Sequence, residues 1–329
     1  MTELRDATAA DAATGFDPFA SDASRWATSM RNHGELLTGM LEAANVRSIV
    51  EVGAYAGDLT SMLLDWADRH GATVGAVDPM PQPQLVTLAE SNPALDLIRE
   101  PSLEALARIP IPDAVVIDGD HNWHTVIEEL RLIAARAEEL PLLLFHDVCW
   151  PHARRDDYYS PDAIPADLRQ PLVPEGHGIM PGIAGTVPAG MPYPKSAAHE
   201  GGERNGVRTA VEDFVAEQEL LRFVAVPIFF GLGVVWRLDA PYSEALAAML
   251  DPWDDNPTIA RLEANRVHHL ATGWALQQRL ARQEALLDQL RMSRSFTVAE
   301  RLSRIYSRVT GGRGETAVTK DEIRRALAD

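Results

Sequence analysis

The sequence predicts an α/β fold: a doubly wound, seven-stranded, mostly parallel sheet with helices on both faces and a C-terminal helical extension. Three observations lead there. Short apolar runs alternate with amphipathic stretches between residues 48 and 145, the pattern of buried parallel strands and the helices that cover them. The first run ends in a glycine turn, Glu51-Val52-Gly53-Ala54-Tyr55-Ala56-Gly57, that leads into a helix. Later runs end in Asp78, Asp118 and His146-Asp147, at the carboxyl ends of strands, where such sheets collect their ligands.

The elements follow in order. Residues 1–22 are polar and rich in Ala and Asp, which predicts a mobile segment. Over residues 23–44 the apolar side chains Trp26, Met30, Leu36, Leu37, Met40 and Leu41 recur at helical spacing, with a break near Gly34. Strands are expected at 48–52, 73–77, 95–99, 114–117 and 142–145, and helices at 58–69, 82–90, 102–108 and 123–137. Residues 149–205, rich in Pro and Gly, then break the rhythm directly after a strand end, as an active-site lid does. This stretch carries His152, Arg154, Arg155, Tyr158, Tyr159, His177 and His199, suited to stacking on sugars or to binding an anion. Its glycines near residue 201 read as hinges. A helix over 207–219 and two β segments at 222–227 and 233–238 complete the sheet with an antiparallel edge hairpin, closing a domain of residues 23–238.

Residues 239–329 read as helix. Leu262, Leu276, Leu280, Leu287 and Leu290 are partly in 3–4 spacing, which fits either a helical hairpin or a helix for homo-oligomerisation. An Arg-rich tail follows from Ser293, with a break at residues 311–314.

Composition narrows the function. No apolar run approaches the roughly 20 residues that cross a bilayer, and the N-terminus lacks the basic and apolar regions of a signal peptide. Cys149 is the only cysteine, which excludes an internal disulfide and a multi-cysteine zinc site and fits a reducing, cytoplasmic setting. A net charge of −18 opposes a nucleic-acid partner and leaves a small-molecule substrate as the expectation.

In the glycine turn, Gly53 and Gly57 allow a tight bend and close approach to a ligand, and the helix from Asp58 points its amide-rich end at it. The spacing differs from the Gly-x-Gly-x-x-Gly that admits a pyrophosphate, and Tyr55 occupies the turn. Glu51 suits a ligand with an ammonium group, and Asp78 can accept hydrogen bonds from ribose hydroxyls. At the fourth and fifth strand ends, Asp118-Gly119-Asp120-His121 and His146-Asp147 converge. Asp118, His146 and Asp147 offer an oxygen-and-imidazole site for a divalent metal. His121, beside Asp120 in the catalytic pair, is suited to remove a proton.

Together, Glu51-x-Gly53-x-x-x-Gly57 and Asp78 resemble motifs I and II of the class I S-adenosylmethionine-dependent methyltransferases, which have a Rossmann-like fold. The resemblance implies that Gly53, Tyr55 and Gly57 contact the methionine part, Asp78 the ribose and Ser102 the adenine, with Asp118 bordering the cofactor. Asp-Gly-Asp-His and His-Asp are similar to the metal-dependent O-methyltransferases of sugars and other natural products, over roughly residues 47–238. That similarity implies magnesium on Asp118 and Asp147, His121 as general base and an acceptor that carries a sugar or a related polar group. His146 departs from the family, where a carboxylate is commoner. Two other functions stay open: a non-methylating binding or hydroxylase-associated protein on the same scaffold, and an NAD-dependent oxidoreductase.

Overall fold

The computed structural model describes residues 29–309 and Ile323. The expected mobile segment 1–22, residues 23–28 of the first helix and the break at 311–314 lie outside the described residues.

The first described helix is broken as expected. A 3₁₀ turn, Met30–His33, runs into α1, Gly34–Ala43, which buries Leu37, Met40 and Leu41. The alternating region follows as β1 Ser48–Val52, α2 Asp58–His70, β2 Thr73–Val77, α3 Pro83–Ser91, β3 Leu95–Ile98, α4 Ser102–Leu106, β4 Ala114–Ile117, α5 Trp123–Arg136 and β5 Leu142–Phe145. After the 149–205 segment come α6 Val207–Glu217 and the hairpin strands β6 Leu221–Val226 and β7 Leu232–Arg237. The expected strands are thus found to within one residue at either end.

The sheet order is β3-β2-β1-β4-β5-β7-β6. β1 to β5 are parallel, and β7 is antiparallel to both β5 and β6. The order reverses beside β1, so the β1–β4 crevice is the switch point where a ligand can enter between diverging connections. Alternation along each strand divides the core in two. Ile49 and Val116 face α1, α2 and α7 (Ser243–Leu250), whereas Val50, Val115 and Ile117 face α4, α5 and α6. A fully buried Leu or Val is worth about 1.5–3 kcal/mol, so a one-residue register slip in β4 would turn both faces against their helices.

The helices are capped as their sequences suggest. α2 ends at Gly71 in the left-handed conformation (φ 63°), which glycine adopts without strain. Asn122 caps α5, its side chain accepting from the Thr125 N–H at 2.9 Å.

Toward the C-terminus, α8, Pro257–Met292, is a single unbroken helix, so the expected hairpin alternative does not form; α9, Arg294–Val309, follows. The chain divides into two compact units at His268/His269. Among the described residues no helix is long and apolar enough to cross a membrane.

Candidate active site

Four strand ends and the 149–205 segment enclose a cavity of about 650 Å³. Of the residues singled out in the sequence, Glu51, Gly53, Tyr55, Asp78, Asp118, His121, His146 and Asp147 line it; Gly57, Ser102 and Asp120 do not.

The turn after β1 is held against β4. Gly53 has φ 88°, and a Cβ there would lie 2.1 Å from the Asp118 carbonyl oxygen and 2.4 Å from the Gly119 Cα. No side chain fits this approach, which brings the β1 and β4 ends together. Gly57 (φ 86°) sits at the N-cap of α2 and shapes the turn from behind the cavity. Both oxygens of Asp78 are engaged: Oδ2 accepts from the Tyr55 N–H at 2.7 Å and Oδ1 from the Met80 N–H at 2.8 Å. Asp78 therefore ties the β1 turn to the β2 end and itself lines the cavity. Glu51 is buried and accepts from the Thr60 hydroxyl at 2.6 Å. Burial pushes its carboxyl up to about 8, against the opposing effect of that hydrogen bond. A cation placed beside it would lower this value again.

The opposite wall is a cluster of two carboxylates and two imidazoles. His121 Nε2 lies 3.3 Å from Asp118 Oδ1 and 3.3 Å from Asp147 Oδ2. His146 Nδ1 lies 3.2 Å from Asp118 Oδ1, while its Nε2 faces the Phe229 carbonyl oxygen at 3.0 Å. Burial opposes charge on both rings, but the facing Asp118 and Asp147 outweigh it. His121 rises to about 9 and His146 well above its ordinary value. Burial likewise opposes the two carboxylates, yet the rings hold both below the usual range. Asp147 and Tyr55 have φ of 58° and 45°; left-handed backbone at non-glycine residues is a cost that sites retain when a side chain must be aimed.

His146 turns both ring nitrogens to acceptors, Nδ1 to Asp118 and Nε2 to the Phe229 carbonyl, while Asp120 and Ser102, also read from the sequence, lie outside the cavity. At the strand ends, the ligand atoms of Asp118, His121 and Asp147 all lie within 4.8 Å of one another. Asp120 does not reach the cavity: its carboxylate accepts from the Thr125 hydroxyl at 3.0 Å and the Tyr159 N–H at 2.9 Å, which makes it a positioning residue. Ser102, at the start of α4, lies away from the cavity near Glu129. That carboxyl is fully buried and without a hydrogen bond of normal geometry among the described residues, and burial pushes it up to about 8.

The 149–205 segment is anchored from within. Arg155, fully buried, donates to the carbonyls of Ala197 at 2.6 Å and Ala184 at 2.7 Å, and Arg154 pairs with Glu212 at 2.7 Å. Asp156 accepts from the backbone N–H groups of Trp123 and Gly206 and from the Tyr158 hydroxyl. These arginines and Tyr158 therefore hold the segment rather than a substrate. The residues it presents to the cavity are Pro151, His152, Asp157, Tyr159 and Tyr193. Tyr193 escaped the sequence reading because its neighbours Pro192 and Pro194 signal only a loop. Gly206 is no free hinge either, since a Cβ there would meet the Ala153 carbonyl at 2.5 Å; Gly201 and Gly202 have open space around them.

Residues 50–148, from β1 through the end of β5, match the family model for a methyltransferase domain. No curated protein matches the sequence. Among solved structures, a Podospora anserina methyltransferase bound to S-adenosylhomocysteine is similar at 15% identity over 65% of this chain and 82% of its own (TM-score 0.41). A methyltransferase from Geobacter sulfurreducens is similar at 13% identity over 70% of this chain and 96% of its own (TM-score 0.38). The family match spans the glycine turn and both strand-end clusters, so the part of this chain that lines the cavity from β1 to the end of β5 is similar to a methyltransferase domain.

Proposed function

We propose that the protein transfers the methyl group of S-adenosylmethionine to a hydroxyl of a polar small molecule, a sugar or another natural product. The observation that carries this reading is that the Gly53 turn and the Asp118–His121–Asp147 cluster open onto one cavity. A donor on the β1–β2 side and a hydroxyl on the β4–β5 side would then meet within it. Tyr159 and Tyr193, also in the lining, offer ring faces for a sugar.

With the donor bound, Glu51 would face its ammonium and Asp78 would accept from its ribose hydroxyls. His121 takes the proton of the acceptor hydroxyl as the oxygen bonds to the methyl carbon and the carbon–sulfur bond breaks, leaving S-adenosylhomocysteine as a neutral thioether. For this His121 must begin neutral. In the protein alone Asp118 and Asp147 favour its imidazolium, so a second cation beside those carboxylates would release it as a base. The donor set fits a divalent ion such as magnesium, held by Asp118 and Asp147; when bound, it supplies Lewis acidity toward the acceptor oxygen.

The test is methyl transfer from labelled S-adenosylmethionine to a panel of glycosylated and free hydroxyl acceptors, with and without chelator. His121→Ala should lower kcat by about 10²-fold or more, as loss of a general base does, while S-adenosylhomocysteine binding stays intact. A His121→Ala protein that keeps full activity would refute the base assignment, and full activity in chelator would remove the metal.

A further inference from the structure

The strand-end carboxylates are not the only groups that face His121. From the 149–205 segment, His152 stacks on its ring, with centroids 5.2 Å apart and planes 17° from parallel. Asp157 approaches from the same side, its backbone paired to His121 through an N–H···O bond of 2.9 Å. His121, His152 and Asp157 each offer a ligand atom, and these atoms all lie within 4.8 Å of one another. All three line the cavity.

A second observation singles out His152. Its ring is buried, 5% exposed, and its Nδ1 has no hydrogen-bond partner among the described residues. A buried imidazole short of hydrogen-bond partners loses hydration for little in return, and coordination through its ring is one way to recover it. Asp157 is held in place on the other side, its Oδ1 accepting from the Ser196 hydroxyl at 2.6 Å. The segment itself is locked by the Arg155 and Asp156 contacts, so His152 and Asp157 are preorganised toward His121.

We propose that His121, His152 and Asp157 form a second metal site, distinct from Asp118 and Asp147, that takes an imidazole-preferring divalent transition ion. Two imidazoles and one carboxylate with open positions suit zinc, cobalt or iron(II), whereas a site of hard oxygens suits magnesium. His121 stands between the two sites. An ion on the lid side takes the ring that the strand-end carboxylates otherwise hold, whereas magnesium on those carboxylates needs only their oxygens, so magnesium does not displace it. The proposal is independent of methyl transfer: it is a statement about which atoms bind which ion.

Cobalt(II) is the probe. Titrated into the full-length protein without other metals, it should bind with visible absorption bands of nitrogen coordination. His152→Ala and Asp157→Asn should each weaken binding at least tenfold, and Asp147→Asn should not weaken it. Excess magnesium should leave the bands in place. Cobalt that binds equally well to His152→Ala, or that is lost in Asp147→Asn alone, would overturn the site, as would no binding to the unaltered protein. Should the variants not fold, anomalous diffraction from a cobalt-soaked crystal of the unaltered protein decides. An ion at about 2.0–2.2 Å from a His152 nitrogen supports the site, and an ion on Asp118 and Asp147 alone overturns it.

Discussion

Replacing Gly53 by alanine tests the central joint of the domain, the contact of the β1 turn with the β4 end. Two costs add. Placing an L-residue in the left-handed region (φ 88°) costs about 1–2 kcal/mol. The new methyl would also meet Asp118 and Gly119 backbone at 2.1 and 2.4 Å, and relieving such overpacking costs about 1–3 kcal/mol. The two together come to about 2–5 kcal/mol. Gly71→Ala is the matched control: its φ is 63°, but nothing lies within 4 Å of the added Cβ. It carries only the conformational cost, and the gain from a less flexible unfolded chain is common to both variants. The difference between their urea-unfolding free energies therefore isolates the clash, about 1–3 kcal/mol. S-adenosylhomocysteine titrated calorimetrically should bind Gly71→Ala like the unaltered protein and Gly53→Ala at least tenfold more weakly. Equal stability losses with undiminished binding in Gly53→Ala would show that the β1–β4 approach is not what shapes the donor site.

Other outcomes follow from the same geometry. Asp78→Asn leaves one acceptor oxygen where the Tyr55 and Met80 N–H groups now use two; losing a charge-assisted bond, about 1.5–3 kcal/mol, should weaken S-adenosylhomocysteine roughly tenfold to a hundredfold by calorimetry. Glu51, at about 8 in the fold against 4.5 for an ordinary Glu, holds its proton in the folded state where the unfolded state has lost it. Its contribution to stability therefore falls as pH rises from about 4.5 to 8, by up to about 1.4 kcal/mol per pH unit. Urea midpoints measured from pH 5 to 8 should decline less steeply in Glu51→Gln, and parallel profiles for the two proteins would contradict the assignment. Burial pushes the Cys149 thiol up to about 12, so thiol reagents at pH 8 should leave the folded protein unmodified and label it fully in denaturant; rapid labelling of the native state would place the thiol elsewhere.

The alternation of apolar runs determined the sheet and its helices, because strands buried on both faces are written as short runs rich in Val, Ile and Leu. The glycine turn was equally legible: Gly53 is required by backbone contact, a constraint that no other residue can satisfy. The strand-end carboxylates were found for the same reason, since parallel strands deliver their last residues to one edge. What a side chain does at that edge was not legible. Asp118, Asp120, His146 and Asp147 look alike in sequence as polar residues after strands, yet Asp118 and Asp147 face the cavity and Asp120 turns away to Thr125 and Tyr159. His146 faces the Phe229 carbonyl of the distant β6–β7 hairpin, 83 residues along the chain. The arginines of the 149–205 segment, suited by chemistry to a substrate, are spent on carbonyls and Glu212 in its own folding. His152 and Asp157 reach His121, and Tyr193 reaches His152, only because that segment folds back over the sheet. Periodicity is a local property and is written in neighbouring residues; the partner of a buried charge is chosen by packing between segments far apart, and only the tertiary structure brings those together.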